Sequence, residues 1–243
     1  MTVDPELGAV LLATFASLFI SSIAGYGGSL LLVPVLGVIL GPKEGVALTA
    51  LLLGWNNVFK VIAYRRTLAL REGWALLLLT AVGVWFGAQL LISAPDRVVV
   101  WSIVAATIVS LAVDAFGADR MLRARRHTAV PLMGASAVLS GVSGSSGPLK
   151  GISVRSLDLP RLEHVGLASS VSLVADALKV ELFANAGLFE DLDLAVLAVA
   201  LPVMPVAAWV GRAVNRRVSE SAFRWIFWSV VGGYTLRMAG LWF

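Results

Sequence analysis

Long apolar stretches, separated by short polar or Gly/Pro-containing connections, are the main pattern along this chain. An α-helix needs about 20 residues to cross a bilayer, and seven of the stretches are close to that length. They run from Leu7 to Ala24, Val46 to Ala63, Trp74 to Ile92, Val98 to Phe116, Val165 to Ala184, Leu194 to Val210 and Ala222 to Leu241. The pattern predicts an all-α polytopic membrane protein.

Three further apolar stretches are too short to span a membrane and are interrupted by glycine and proline. They lie near Leu30 to Leu40, Val130 to Val142 and Leu149 to Leu157. Irregular backbone at membrane depth is tolerated only where protein or a water-filled cavity surrounds it. We therefore expect broken or re-entrant half-helices inside the helix bundle.

The composition agrees with this pattern. Of the 243 residues 58% are hydrophobic and 14% are charged, whereas about 25% are charged in an average soluble domain. The mean hydropathy is +0.88. Such a chain cannot cover a water-exposed surface, so we predict a membrane domain with no room for a sizeable soluble one. The absence of cysteine excludes disulfides and thiolate metal sites.

Arginine is concentrated in four connections, which the positive-inside rule places in the cytoplasm. These connections contain Arg65, Arg66 and Arg71, then Arg120, Arg123, Arg125 and Arg126, then Arg155 and Arg161, and finally Arg212, Arg216 and Arg217. The assignment predicts a multi-pass protein of the cell inner (plasma) membrane with its N-terminus outside. It also explains the pI of about 9.8 without a nucleic-acid partner.

An internal repeat appears when the sequence is shifted by 119 residues. Gly25 then aligns with Gly144, and Lys60 aligns with Lys179. The arginine-rich connections put the two parts in opposite orientations, so we predict an inverted repeat of two five-segment halves, residues 1–120 and 121–243, that together form one membrane domain. Secondary transporters use this architecture and bind their substrates near the membrane midplane, where the repeats meet.

Two glycine-rich segments, Ala24 to Pro34 and Ser140 to Leu149, each lead into one of the short stretches. Free backbone amides at the N-terminus of a short helix attract anions; the alternative is that the glycines only allow close helix packing. Lys150 follows the second segment and would face the substrate or cap it. The candidate binding residues of the segments are Gly25, Tyr26, Gly27, Gly28, Ser29, Ser143, Gly144, Ser145, Ser146 and Gly147.

Polar residues also occupy corresponding positions of two long stretches, with Asn56, Asn57 and Lys60 in one and Asp176 and Lys179 in the other. Residues three or four apart share a helix face. A lysine near the bilayer centre costs about 2.5 to 3.5 kcal/mol, and a negative substrate would compensate that cost. Two alternatives stay open: Lys60 reaches the membrane interface, and Asp176 either neutralises Lys179 in a structural ion pair or carries a coupling proton.

Other kinds of chemistry find no support in the sequence. GVSGSSG is not a Gly-x-Ser-x-Gly nucleophile motif, and His127 and His164 lie in or beside basic connections. No His/Asp/Glu cluster has metal-ligand spacing, and no Gly-x-Gly-x-x-Gly precedes a soluble helix. We predict no enzymatic activity, no metal and no cofactor.

At these residues the chain resembles the TauE/SafE (TSUP) family of sulfite and organosulfonate exporters. The resemblance covers nearly the whole chain and is carried by AGYGGSLLLVPVL, GVALTALLLGWNNVFKVIAYRR, SGVSGSSGPLKGI and EHVGLASSVSLVADALKVELFANAGLF. It implies a functional lysine at Lys179 and small-residue patches. These patches match Thr49, Ala50, Ser169 and Ser170. The serine-rich second glycine segment departs from the family pattern and favours a hydroxyl-lined pocket for a tetrahedral oxyanion.

From the resemblance together with the lysines and helix dipoles, we predict a secondary transporter that exports a small sulfur-containing anion such as sulfite, thiosulfate or an organosulfonate by alternating access. Its partners would be the anion, membrane lipid and a coupling proton or ion, with homo-oligomerisation left open. Three alternatives remain: a passive anion channel, a proton-coupled carrier of a carboxylate or neutral solute, and a membrane enzyme or assembly scaffold, which the absence of a plausible catalytic pair disfavours.

Overall fold

The structure is a computed structural model that describes residues 8, 11, 14, 15, 17, 18, 28–115, 126–145, 147–189, 196–202, 204–206 and 220–241. These residues are helical apart from short connections, as the apolar pattern predicts. The helices with defined bounds are α1 (Gly28–Ile39), α2 (Pro42–Ala63), α3 (Leu70–Ser93), α4 (Asp96–Ala115), α5 (Arg126–Ser143), α6 (Gly147–Arg155), α7 (Arg161–Asn185) and α8 (Glu220–Leu241). Helical residues also occur between 8 and 18 and between 196 and 206.

Helix α2 begins earlier than the apolar stretch from which it is predicted, and the residues at its start explain the difference. It begins at Pro42, four residues before Val46, because proline fits the first helical turn, where its missing N–H is not needed. Gly41 precedes it with a φ of 109°, a backbone conformation that glycine adopts without strain. The helix ends at Ala63, as predicted, and Tyr64 follows.

Three helices are long and apolar enough to cross a membrane in the part of the chain that the structure describes: α2, α3 and the stretch Asp96–Val113 of α4. Helix α7 is also long enough, with 25 residues, but it carries Asp176 and Lys179 in its interior. The predicted stretch from Leu7 to Ala24 lies largely outside the described residues, and the stretch from Leu194 to Val210 lies partly outside them. The chain is thus an all-helical protein with several apolar helices of membrane-spanning length.

The short helices agree with the prediction of broken segments at two of three positions. Helix α1 has 12 residues and contains the buried Pro34, and α6 has 9 residues. Helix α5 is longer than expected, because it begins at Arg126 and its 18 residues extend over about 27 Å. Its apolar part, Ala129–Ser143, stays short.

Glycines allow two pairs of helices to approach closely. A Cβ added at Gly87 of α3 would collide with Gly141 of α5, and one added at Gly45 of α2 would collide with the backbone of Gly37 in α1. Small residues let membrane helices pack backbone to backbone. The close-packing interpretation therefore holds for Gly141, which lies within the second glycine-rich segment.

Helices from both ends of the chain contribute to one core. Val33 of α1, Val46 of α2, Ala88 of α3, Phe183 of α7 and Met238 of α8 belong to one buried apolar cluster. Helix α2 packs against α7, with α1 against α2 and α6 against α7 on either side. The crossing of α2 and α7 brings the polar residues of the two helices together.

Candidate functional site

The crossing of α2 and α7 contains a buried carboxylate with both of its oxygens engaged. Lys179 Nζ lies 2.7 Å from Asp176 Oδ1, one helical turn away, and the two side chains are 2% and 8% exposed. Asn57 Nδ2 of α2 donates a hydrogen bond of 2.8 Å to Asp176 Oδ2. The ion pair that the spacing left open is therefore formed, and it is tied to the opposite helix. Asn56 is buried beside Asn57.

Two further lysines, one on α2 and one on α6, lie near this pair. Lys60 is half-buried on α2, three residues after Asn57 and so on the helix face that contacts Asp176. Lys150 of α6 donates a hydrogen bond of 2.6 Å to Ser172 Oγ of α7, which lies one turn before Asp176. Lys60 thus shares a helix face with Asn57, and Lys150 contacts the turn of α7 that precedes Asp176.

The resulting lysine cluster consists of Lys60, Lys150, Lys179 and Asp176. Three ammonium groups and one carboxylate give it a formal charge of +2. An excess of buried positive charge is unfavourable unless a negative group compensates it. The arrangement can therefore hold an anion.

Ser172 was not singled out by the sequence. A serine inside a helix usually bonds to a carbonyl one turn earlier, and Ser172 does so with Ala168 O at 2.8 Å. Its spacing could have identified it as a site residue, because Ser172, Asp176 and Lys179 follow the i, i+4, i+7 pattern of one helix face.

The second glycine-rich segment connects α5 to α6 through a sharp turn at Gly144. Its φ is +71°, and a Cβ there would press against Val33 and Val46, so the position requires glycine. The buried Ser143 Oγ donates to Leu139 O at 2.7 Å and accepts a hydrogen bond of 3.3 Å from the N–H of Ser145. The expectation of free amides is therefore wrong at Ser145, because a neighbouring side chain satisfies its amide.

The first glycine-rich segment is described only from Gly28 onward. Gly28 begins α1 and is buried, and Ser29 Oγ donates a hydrogen bond of 3.1 Å to Ser145 Oγ. The two glycine-rich segments thus meet, although 116 residues separate these serines. The remaining candidates of the segments, Gly25, Tyr26, Gly27 and Ser146, lie outside the described residues.

Helix α6 links this serine contact to the lysine cluster. It begins at Gly147, just after the second glycine-rich segment, and places Lys150 one turn further on. Lys150 contacts α7 through Ser172. One short helix therefore connects the serine contact, two residues before its start, to the lysine cluster.

Four buried hydroxyls have no hydrogen-bond partner among the described residues. They are those of Thr14, Ser17, Thr49 and Ser136. Thr49 lies seven residues before Asn56, on the same face of α2. An unsatisfied buried hydroxyl costs about 1 to 3 kcal/mol, which calls for an additional partner such as a water or a ligand. The serines of the small-residue patch on α7, Ser169 and Ser170, donate to carbonyls of their own helix.

A cavity of about 550 Å³ lies away from the lysine cluster, at the C-terminal end of α2. It is lined by Ile62, Ala63, Tyr64, Arg65, Arg66, Thr67 and Leu162. It is open to the surface at a basic connection and contains none of the candidate residues. No group of three or more metal-ligating side chains occurs in the described part of the chain.

Comparison with known proteins supplies one match. The family model described as "Sulfite exporter TauE/SafE" matches residues 9–238. No curated protein matches the chain, and no solved structure does.

Proposed function

Because the chain belongs to the sulfite exporter TauE/SafE family, we propose that it exports a small sulfur-containing oxyanion such as sulfite, thiosulfate or an organosulfonate. The family makes it a multi-pass membrane transporter and not an enzyme. The identity of the anion, its direction and the alternating-access mechanism are the proposal. The observation that carries it is the lysine cluster with its formal charge of +2.

The energies favour an anion as the substrate. A single lysine at the bilayer centre costs about 2.5 to 3.5 kcal/mol, and the cluster holds two more ammonium groups than carboxylates. Two opposite unit charges 4 Å apart attract each other by about 4 kcal/mol when the effective dielectric constant is about 20. One contact between an anion and an ammonium group therefore offsets the cost of burying that lysine.

Hydroxyls would provide the contacts to the substrate oxygens. Ser29 and Ser145 meet at the start of the two short helices, and the amide of Ser145 is already occupied. Side-chain hydroxyls would thus carry more of the recognition than backbone amides, together with the remaining candidates of the first segment, Gly25 to Gly27. A hydroxyl donates to a sulfite or sulfonate oxygen at little cost, because it rotates to suit its partner.

Contacts between helices support two halves that rock against each other. In the first half α1 packs against α2, and in the second half α6 packs against α7; α8 packs against α1, and α4 packs against α6. Under the shift of 119 residues each of these contacts has its counterpart. This exchange is what a two-fold relationship between residues 1–120 and 121–243 would produce, and the arginine-rich connections favour an inverted repeat.

A ligand screen on the purified protein tests the proposal. Sulfite, thiosulfate, taurine, sulfoacetate, acetate and chloride are compared by the shift of the thermal unfolding midpoint. A ligand that binds only the folded protein stabilises it by about 2.7 kcal/mol at a hundredfold excess over its Kd. We expect a sulfur oxyanion to raise the midpoint most; equal shifts for all six compounds, or none, would contradict the proposal.

The second candidate, a proton-coupled carrier of a carboxylate, is favoured by the burial of Asp176, since an intramembrane carboxylate is a common proton relay. It predicts that acetate gives the largest shift in the same screen. Flux measured in proteoliposomes with an imposed pH gradient separates the two candidates further.

A further inference from the structure

We infer that Asp176 is an internal counter-ion that occupies the anion position of the transport site when no substrate is bound, and that the substrate anion displaces it from Lys179. The inference rests on the proposed function. It specifies how the site selects sulfur oxyanions over carboxylates and how the carrier returns without substrate. It depends on the carboxylate of Asp176 and the three ammonium groups of the lysine cluster.

The first step is the geometry of the carboxylate. Its Oδ1 contacts Lys179 at 2.7 Å and its Oδ2 accepts from Asn57 at 2.8 Å. These are the contacts of a charged ligand held at two points, with a cation on one oxygen and a neutral donor on the other. Asp176 thus stands where a sulfite or sulfonate group would find its best partners.

The second step is competition. Lys179 is almost fully enclosed, with 2% of its side chain exposed, so an incoming anion reaches its ammonium group only by taking the place of Asp176. Two negative groups around one buried ammonium also repel each other. The substrate therefore has to gain more from the lysine cluster than the carboxylate it displaces.

The third step is the empty carrier. A transporter that works by alternating access must return without substrate, and three uncompensated ammonium groups inside the membrane would oppose that step. With Asp176 in contact with Lys179, the formal charge of the empty site falls from +3 to +2. The carboxylate thereby lowers the barrier for the return of the empty carrier.

The fourth step concerns the link between helices. Asn57 belongs to α2 and Asp176 to α7, so their hydrogen bond joins the two halves of the chain. When a substrate displaces Asp176, this link weakens at the same moment as the site is filled. Substrate binding and release of one connection between the halves would then be a single event.

The fifth step is selectivity. A singly charged carboxylate such as acetate offers Lys179 nothing that Asp176 does not already provide. A sulfur oxyanion with more oxygens, and in some cases a second charge, can engage Lys60 and Lys150 in addition. The internal carboxylate would thus set a threshold that excludes abundant carboxylates.

The experiment uses Asp176→Asn in proteoliposomes, since asparagine keeps the shape and can still bond to Asn57 but carries no charge. Three quantities are measured with radiolabelled sulfite: equilibrium binding, exchange of sulfite for sulfite, and net efflux into sulfite-free buffer. We expect binding at least about tenfold tighter, exchange retained within about threefold, and net efflux reduced at least about tenfold, because only net efflux requires the empty carrier to return.

A second variant, Asn57→Leu, covers the case in which Asp176→Asn does not fold. It leaves every charge in place and removes the hydrogen bond to Oδ2, so Asp176 is held less firmly. We expect sulfite binding to tighten about threefold. Unchanged or weaker binding in the folded variants, or a loss of exchange equal to the loss of net efflux, would overturn the inference. If the unmodified protein bound no sulfur anion, the proposed function itself would fail.

Discussion

Asn57 Nδ2 and Asp176 Oδ2 are 2.8 Å apart in space and 119 residues apart in the chain. The same offset aligns Lys60 with Lys179. When two repeats are related by a two-fold axis, a residue close to that axis contacts its own counterpart, so this hydrogen bond supports an axis through the crossing of α2 and α7. The pair is chemically unequal, however, because one half supplies an amide and the other a carboxylate.

Replacing Lys179 by methionine tests the role of the buried ammonium group. We expect sulfite flux in proteoliposomes to fall to background. The variant also leaves Asp176 as an unpaired buried carboxylate, a change that typically costs about 3 to 5 kcal/mol of stability. The thermal unfolding midpoint measured without ligand should therefore drop.

Lys43→Met is the matched control for this variant. Lys43 also contacts an aspartate, Asp96 at 3.8 Å, and a carbonyl, Ile92 O at 3.1 Å, but at the start of α2, far along the helix from the lysine cluster. This pair is partly exposed and its atoms are 3.8 Å apart, and surface pairs contribute about 0 to 1 kcal/mol. Flux unchanged in Lys179→Met, or lost equally in Lys43→Met, would remove the lysine cluster from the mechanism.

Thr49→Val tests whether an unpartnered hydroxyl serves the substrate. The side chain keeps its shape and loses a buried oxygen that has no described partner. We expect the ligand-free protein to be equally stable or more stable, by up to about 1 to 3 kcal/mol, while its affinity for sulfite decreases severalfold. Thermal unfolding with and without sulfite measures both effects.

The control for Thr49→Val is Thr107→Val on α4. Its hydroxyl donates to Ile103 O at 2.9 Å and lies 3.5 Å from the hydroxyl of Thr235. Removing it should slightly destabilise the protein and leave sulfite affinity as it was. A stability loss in Thr49→Val with no change in affinity would show that the hydroxyl has only a structural role.

Two alanine substitutions on one helix test the close approach of α3 and α5. Gly141→Ala places a methyl group against the backbone of Gly87 and Ala88, and nothing there can move as a flexible side chain would. Gly134→Ala meets no atom within 4 Å, and alanine is favoured over glycine in helices by about 0.5 to 1 kcal/mol. We expect a large drop of the unfolding midpoint for the first and an equal or higher midpoint for the second. Equal midpoints would contradict the packing.

The orientation of the chain can be measured directly, because it contains no cysteine of its own. Arg66→Cys lies in the arginine-rich connection after α2, and Pro95→Cys lies in the connection between α3 and α4; both positions are exposed. The positive-inside rule predicts that a membrane-impermeant maleimide labels Cys at position 95 in intact cells and labels position 66 only after permeabilisation. The reverse pattern would place the N-terminus inside.

Much of the helical architecture could be predicted from the sequence. The end of α2 at Ala63 and the short α1 and α6 follow from apolar length and from the positions of glycine and proline. The start of α5 at Arg126 could not be predicted in the same way. Its first turn is polar, and hydropathy alone does not distinguish a polar helical turn from a connection.

The candidate site was predictable as a set of residues but not as a set of contacts. Lys60, Asp176 and Lys179 stand out because charged groups are rare in apolar helices. Their depth in the bundle, and the hydrogen bond of Ser29 to Ser145 across 116 residues, depend on how helices cross. The roles of two glycines in one segment also separate only in three dimensions, since Gly141 permits close packing and Gly144 makes a turn.

By itself, the sequence determined that this protein is a bundle of membrane helices with two broken segments and with lysines in its interior, because apolar length and the cost of buried charge act locally along each helix. Only the tertiary structure decided that Asn57 of α2 holds Asp176 of α7 beside Lys179, and that Lys150 of α6 reaches Ser172 on the same helix. Charges interact over a few ångströms, and those distances exist only after helices far apart in the chain have packed.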